Sequence, residues 1–374
     1  MDHGLLAAGP AHRTALVIEL ARTLASADAL LLQPSVSGEA LGKALGLSRA
    51  AVHKHMERLR SLGFGIAPVA GSGYRLERPF DDLVAAEAVL PFLFDLNPEA
   101  GSPVVGLPYR YIARCASTNA ELKAVAETAP AGTVLVTDEQ TGGRGRLGRT
   151  WSSVQGKDLT FSVLLRPMLG PAQAHMLSLT AALAVADVLD SLDGLQGRVG
   201  IKWPNDVLVG GKKVCGILLE GSMDADRLQW AIAGIGLNVN SDGASLLGGL
   251  SGQLVQEWEG RPVPTSLYEE VGTPVARAPL MARLLAALSR RWAEAGTEDA
   301  LEELRSRDVL AGRRVEIWSG PPHNEPLVSG EAAGIGAEGQ LLVRVALGEV
   351  VPVFAGDVTL RSPTQRGVQP GIAT

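Results

Sequence analysis

Between Gly142 and Arg149 the chain places four glycines and three arginines in eight positions, directly before Thr150 and Trp151. Glycine at that density disfavours helix and strand interiors alike, so the run must be a loop held between more regular neighbours. Those neighbours are two strand candidates, Thr133–Thr137 before it and Leu159–Leu165 after it. Glycines let backbone N–H groups approach an anion closely, and arginines supply forked donors that fit phosphate or carboxylate. The run therefore predicts a bound anion, with an exposed basic turn as the alternative.

Gly143, Gly145 and Gly148 match the spacing G-x-G-x-x-G, but the context excludes the common meanings of that pattern. A dinucleotide fingerprint needs a helix opening behind the glycines, and here a strand follows. A kinase loop would need a catalytic loop and magnesium-binding signature downstream, and neither is present. Gly-Lys-Ser/Thr, the end of a Walker loop, is also absent.

A second cluster runs from Lys202 through Trp203, Pro204 and Asn205 to Asp206, and after Gly210-Gly211 continues from Lys213 to Glu220. A lysine at a strand end beside an aromatic and a proline is placed as a rigid point charge, although alone it reads equally as a surface lysine.

The N-terminal part has a different texture. The net charge of −6 argues against indiscriminate coating of nucleic acid, yet from Lys43 to Arg75 six basic residues stand against Glu57 alone. Residues 14–31 carry helical periodicity, and two shorter helices are expected at Gly38–Leu45 and Arg49–Leu62, behind Ser37 and Ser48 as caps, with Gly46 between them. Val52, Met56, Leu59 and Leu62 form one apolar stripe, which leaves Ser48, Arg49, Ala50, His53 and Lys54 outward as candidate DNA-contacting residues. Phe64–Val69 and Tyr74–Leu76 are short strands around a Gly71-Ser72-Gly73 tip. This is the layout of a winged helix-turn-helix, ending near residue 80.

Beyond it an α+β pattern with a mixed sheet is expected. Strands are read at Tyr109–Ala113, Thr133–Thr137, Leu159–Leu165, Gly200–Lys202, Val207–Val209, Val214–Glu220 and Gln229–Val239, with helices at Ser117–Thr128, Ala172–Ser191 and Ala276–Ala295. From Arg313 to Leu360 short strands such as Arg314–Ile317, Leu341–Val345 and Val350–Phe354 alternate with glycine-rich turns, which suggests a small β-barrel. The expected division is 1–80, 81–305 and 306–362, with 363–374 a disordered tail.

Cys115 and Cys215 have neither zinc nor disulfide spacing, fit a reducing cytoplasm and read as buried structural thiols. No metal site is expected on the chain itself. The uncharged stretch Pro167–Ala186 is broken by Pro171, Gln173, His175 and Ser178, so a buried helix is expected there, and no membrane role.

Taken together, Ser117-Thr118-Asn119, Gly142–Trp151, Lys202–Asp206 and Gly234–Asn240 resemble, in type, order and spacing, the biotin protein ligases of the bifunctional class also known as the biotin operon repressor. The resemblance covers nearly the whole chain and implies a winged helix, a ligase core and a C-terminal SH3-like barrel. It implies that Ser117, Thr118, Asn119, Gln140, Arg144, Gly145, Arg146 and Lys202 bind biotin, with Lys202, Arg144 and Arg146 catalytic. Gly143, Gly148, Trp151 and Asn238 would serve the adenylate loop. Leu147 stands where some relatives carry another arginine, a difference that touches loop charge only.

The same resemblance implies the reaction: biotin and ATP, with Mg²⁺, form biotinyl-adenylate, which passes biotin to a lysine of a biotin carboxyl carrier protein. Asp206 is a candidate for accepting that lysine's proton, with turn-capping beside Asn205 as the alternative. It also implies operator DNA as a partner and a homodimer promoted by the adenylate. Two rival readings are a ligand-sensing regulator that does not turn its ligand over, and a lipoate-type ligase. The arginine-glycine loop with Lys202 argues against the first, and the Lys202–Asp206 motif with its attached winged helix against the second.

Overall fold

The computed structural model describes residues 13, 15–18, 35–77, 80–96, 105–167, 170, 173–224, 227–248, 260–320 and 325–360. Most of the helix expected over 14–31 and all of the tail 363–374 lie outside them.

Both serine caps form. Ser37 Oγ accepts from Ala40 N–H at 3.0 Å at the start of α1 (Gly38–Leu45), and Ser48 Oγ accepts from Ala51 N–H at 3.2 Å at the start of α2 (Arg49–Ser61). Gly46 takes the left-handed conformation that ends α1, with φ of 65°. Val52, Met56 and Leu59 are fully buried with Leu41, while Leu62 sits half-buried as the cap of α2. Strands β1 (Ile66–Val69) and β2 (Gly73–Leu76) pair antiparallel, and Val36 bridges to Tyr74. Gly73 is required there: a Cβ would lie 2.1 Å from Val36 O, and its φ is 110°.

Behind this unit comes α3 (Ala86–Leu96), whose N-terminal end receives Arg13 on Glu87 at 2.6 Å. Next are β3 (Tyr109–Cys115), α4 (Thr118–Lys123), β4 (Val134–Gln140), β5 (Leu159–Leu165), α5 (Ala174–Asp190), β6 (Val199–Lys202), β7 (Asp206–Val209), β8 (Lys212–Asp224) and β9 (Arg227–Leu237). The seven strands form one sheet in the order β3-β4-β5-β9-β8-β7-β6, antiparallel except for the β3–β4 pair. The expected mixed sheet is therefore present.

Helices α6 (Gly243–Gly248), α7 (Leu267–Val271), α8 (Arg277–Ala293) and α9 (Glu298–Ser306) follow. Thirteen of the 17 residues of α5 are buried, because it packs on α8, on α9 and on the sheet at once. Such burial explains why apolar residues lie on every side of it, with the small hydroxyl residues Ser178 and Thr180 buried among them. Among the described residues no helix is long and apolar enough to cross a membrane.

At the C-terminus β10 (Arg314–Trp318), β11 (Val328–Ile335), β12 (Leu341–Arg344), β13 (Val350–Val353) and β14 (Asp357–Leu360) form an antiparallel sheet in the order β13-β12-β11-β10-β14. Its two edge strands are thus consecutive in the chain. Four strand spacings of ~4.8 Å would set them ~19 Å apart in a flat sheet, whereas the chain from Val353 to Asp357 reaches only ~14 Å. The sheet must curl. No strand pairing closes it among the described residues, so the expected barrel is not confirmed.

This sheet docks on the core through Trp203, fully buried, whose indole N–H donates to Gly339 O at 3.0 Å. Gly339 leaves no room for a side chain, since a Cβ would meet Met176 Sδ at 2.1 Å.

Candidate active site

The central strands of the large sheet carry glycines where a cavity needs depth. Gly234 and Gly236 lie two apart on β9 and therefore on one face, and Gly216 of β8 pairs with Gly236. A Cβ on Gly234 would come within 2.2 Å of Asn119 Oδ1, and one on Gly236 within 2.2 Å of Trp151 Cε2. These bare backbones form the floor on which Asn119 and Trp151 rest, beneath a cavity of about 590 Å³.

One end of the cavity is polar and uncharged. Ser117, Thr118 and Asn119 are buried where β3 turns into α4, and Gln140 ends the neighbouring strand β4. Gln140 Oε1 accepts from Thr118 N–H at 2.9 Å, which leaves the Gln140 amide N–H groups as donors. All four residues line the cavity.

The other end is cationic. Arg144, Gly145, Arg146, Gly148 and Trp151 line it, as do Lys202 and Asn238. The loop doubles back as a small hairpin, with Gly145 N–H donating to Arg149 O at 2.7 Å and Trp151 N–H to Gly143 O at 3.0 Å. At its tip Leu147 and Gly148 both have positive φ, 56° and 76°. For leucine that conformation stores ~1–2 kcal/mol. Gly143 is the one expected loop residue that does not line the cavity. It provides close packing instead, since a Cβ would fall 2.3 Å from Trp151 O and 2.5 Å from Gln140 Nε2.

Lys202 is 3% exposed and forms no ion pair among the described residues. Burial holds its ammonium below the usual lysine range, against the pull of the Asp206 and Asp357 carboxylates. Burial likewise lowers Arg146, which donates to Asn205 Oδ1 at 3.3 Å and to Gly356 O at 3.0 Å. Burial pushes Asp357 up, but Arg149, Lys202 and Arg261 outweigh it and hold the carboxyl below its ordinary value. Asn238 donates to Thr265 O at 2.8 Å, while its Oδ1 is buried without a partner. A buried cation and a buried acceptor both lacking partners mark a place for a ligand that is anionic at one point and a donor at another.

Sequence reasoning gave no role to several residues of this cavity. Lys213, quoted only within its segment, contacts Asp206 at 2.6 Å and stands 5.9 Å from the Trp151 ring centroid. Its signal was its place two residues after the Gly210-Gly211 turn, opposite Leu208 and two positions along that strand from Asp206. Arg261 and Asp357 arrive from distant parts of the chain and carried no local signal. Both cysteines are buried, and burial raises both thiols. Neither lines the cavity.

On the helix-turn-helix, Arg49, Ala50, His53 and Lys54 are exposed on α2 as expected. Ser48 is occupied as the cap, and His53 Nδ1 lies 3.2 Å from Tyr74 Oη of the wing. Of the basic residues, Arg60 is used by the fold, donating to Ile66 O at 2.8 Å and pairing with Glu57 at 3.3 Å. Arg75 pairs with Glu77 at 3.3 Å.

A helix-turn-helix joined to a mixed-sheet core, whose cavity is polar at one end and cationic at the other, defines a class: a regulator-like unit fused to an anion-handling enzyme core. Comparison with known proteins makes the class specific. Residues 111–238 match the Biotin/lipoate A/B protein ligase family, and residues 28–75 match an HTH domain. The bifunctional ligase/repressor BirA of Bacillus subtilis is 32% identical over 331 residues, covering 87% of this chain and 94% of that protein. BirA of Escherichia coli is 30% identical over 329 residues, covering 87% and 93%. Biotin protein ligase from Aquifex aeolicus in complex with biotin and ATP superposes with a TM-score of 0.54 at 28% identity, covering 67% of this chain and 97% of that one. The chain belongs to the biotin protein ligase family.

Proposed function

We propose that the protein is an ATP-dependent biotin protein ligase that also represses transcription. It converts biotin and ATP into biotinyl-adenylate, transfers biotin to a lysine of a biotin carboxyl carrier protein, and binds operator DNA. The observation that carries this reading is the cavity in which the Ser117–Asn119 and Gln140 end meets buried, unpaired Lys202 and half-buried Arg146.

Ser117, Thr118 and Gln140 hold the ureido ring, and Arg144, Gly145, Arg146 and Lys202 face the carboxylate and phosphates. Biotin's carboxylate is ionised at neutral pH and needs no base to attack the α-phosphate of ATP. Lys202 and Arg146, preorganised in a poorly solvated site, stabilise the charge that gathers on phosphorus oxygens and departing pyrophosphate. Asn238 Oδ1 accepts a donor of the adenine, and Trp151 covers the adenylate from the loop side. Among the described residues no group of three or more His, Cys, Asp or Glu side chains could hold a metal, and Asp206 and Asp357 are each tied to a cation. Mg²⁺ bound to the triphosphate would supply charge neutralisation there.

In the second half-reaction the acceptor lysine, with an ordinary pKa of ~10.4, must lose a proton before it attacks the anhydride. Asp206 lines the cavity and is the carboxylate that receives it, with Lys213 at 2.6 Å balancing its charge.

For repression, Arg49, Ala50, His53 and Lys54 meet the major groove, and Ser48 acts through its cap. A homodimer promoted by the adenylate would set two such helices on successive groove faces. The chain divides at about residues 80 and 305, and the part from 306 to 362, which carries the curled sheet of β10 to β14, is an SH3-like unit. The protein works in the cytoplasm. Incubation with biotin, ATP, Mg²⁺ and a carrier domain should add one biotinyl group by mass spectrometry, lost in Arg146→Ala and Lys202→Ala. Biotin binding without any such product would instead support a sensor that does not turn its ligand over.

A further inference from the structure

We infer that Glu220, which does not line the cavity, is a positioning residue that sets the donor and acceptor pattern of the biotin end. The inference rests on the reading of that end as the ureido site. Asn119 Nδ2 donates to Glu220 Oε2 at 2.6 Å, and Ser162 Oγ lies 2.6 Å from Asn119 Oδ1 and 2.7 Å from Thr118 Oγ1. Neither Glu220 nor Ser162 is part of the cavity wall.

A carboxylate only accepts, so the direction of this chain of bonds is fixed from its far end. Asn119 must turn Nδ2 to Glu220 and Oδ1 to Ser162. Ser162 has a single proton and gives it to Asn119. At the 2.7 Å contact Thr118 is then the donor and Ser162 the acceptor. The other acceptor within reach of the Thr118 proton, Gln140 Oε1, is farther at 3.3 Å, and either choice uses that proton up. Thr118 Oγ1 consequently faces the cavity with lone pairs only.

Gln140 Oε1 is occupied by Thr118 N–H, so Gln140 presents donors beside that acceptor. An acceptor next to a donor complements a cyclic urea, with its N–H and C=O groups side by side. The floor assists, because Gly234 is bare where a Cβ would stand 2.2 Å from Asn119 Oδ1. Without the carboxylate only Leu218 O, at 3.4 Å from Asn119 Nδ2, still opposes a flip of the amide, so the relay can reverse and point the Thr118 proton at the ligand's own N–H.

The test is calorimetric binding of biotin, together with steady-state adenylate formation, for wild type, Glu220→Ala and Glu220→Gln. Glu220→Ala should weaken biotin binding and raise its KM about 10-fold, the scale of one misdirected buried hydrogen bond. The KM for ATP, kcat at saturating biotin and the unfolding midpoint should stay close to wild type. Glu220→Gln, which keeps an oxygen able to accept from Asn119, should recover a good part of the loss. Wild-type affinity in Glu220→Ala would overturn the inference, as would an equal loss toward biotin and ATP with a lowered midpoint. A wild-type protein that does not bind biotin at all would overturn the reading of the site itself.

Discussion

Arg149 and Asp357, 208 positions apart, meet as guanidinium and carboxylate in a two-bond fork, Nη1 donating to Oδ1 at 3.3 Å and Nη2 to Oδ2. Beside them Arg146 donates to Gly356 O, so the turn into β14 holds the arginine-glycine loop at two of its three arginines. Asp357→Ala leaves Arg149 and Arg261 without this counter-charge at the cavity rim. Biotin-dependent exchange of pyrophosphate into ATP should fall at least tenfold, equivalent to ~1.4 kcal/mol of barrier. Exchange at the wild-type rate would show that the fork has no part in placing the loop.

The two floor glycines should separate the two ends of the cavity. Gly234→Ala drives its methyl into Asn119, and Gly236→Ala drives its methyl into the Trp151 ring, each from 2.2 Å. Gly234→Ala should raise the KM for biotin well above that for ATP. Gly236→Ala should do the reverse and shift the tryptophan fluorescence. If both substitutions affect both substrates equally, the floor is simply being distorted.

Lys202 is a buried cation with no ion-pair partner among the described residues, a costly arrangement for the free protein. Lys202→Met should therefore stabilise the free protein by about 1 kcal/mol while slowing adenylate formation on the order of 100-fold. The sign with pH follows from its lowered pKa. The unfolded chain binds the proton more tightly, so wild-type stability rises as pH climbs toward the ordinary lysine range. Lys202→Met should flatten that rise in thermal melts recorded from neutral to alkaline pH. A variant less stable than wild type when free would contradict this account.

What was legible in the sequence follows the range of the forces involved. Ser37, Ser48 and Gly46 act within one turn of the chain, and the helix bounds they imply hold almost to the residue. Leu159–Leu165 is buried on both faces, so its apolar-rich run, broken only by the small hydroxyl residues Thr160 and Ser162, marks the strand at both ends. Helix α3 went unread because no cap announces it and Pro91 sits within it. Asp357, Arg261 and Glu220 escaped for a different reason. Each acquires its role from a partner far away in sequence, and nothing near it distinguishes it from any other surface charge.

Asp308 gives a pH dependence of the opposite sort. It lies where Ile201 bridges to the segment leading into the C-terminal sheet, and its Oδ2 is buried without a partner. Burial raises its carboxyl to about 6, and only Leu310 N–H, at 2.9 Å, opposes the shift. The folded protein then binds this proton more tightly than the unfolded chain does. The stability it confers is complete below the unfolded value of ~3.9 and is lost as pH rises through about 6. Asp308→Asn keeps the acceptor for Leu310 and removes the charge. Its melting point should exceed that of wild type at pH 7.5, by an amount equivalent to ~1–3 kcal/mol, and the gain should vanish near pH 4. An equal gain at both values would remove Asp308 titration as the cause.

The basic residues of the helix-turn-helix should divide into two groups. Arg49 and Lys54 are exposed on α2 and form no ion pair among the described residues, so they are available to phosphates and base edges. Arg60 donates to Ile66 O and lies 5.9 Å from the Tyr74 ring centroid, so it joins α2 to the wing. Lys54→Ala should weaken operator binding and reduce the slope of log affinity against log salt by ~1, as loss of one phosphate contact does. Arg49→Ala should cost ~1–3 kcal/mol if it reads a base, with relaxed discrimination between operator and unrelated DNA. Arg60→Ala should act first on the melting of the N-terminal unit, and on DNA only through that loss. Filter binding across a salt series, run beside thermal melts of the same proteins, separates the three. A change in salt slope for Arg60→Ala at unchanged stability would move that residue from the scaffold to the DNA-contacting face.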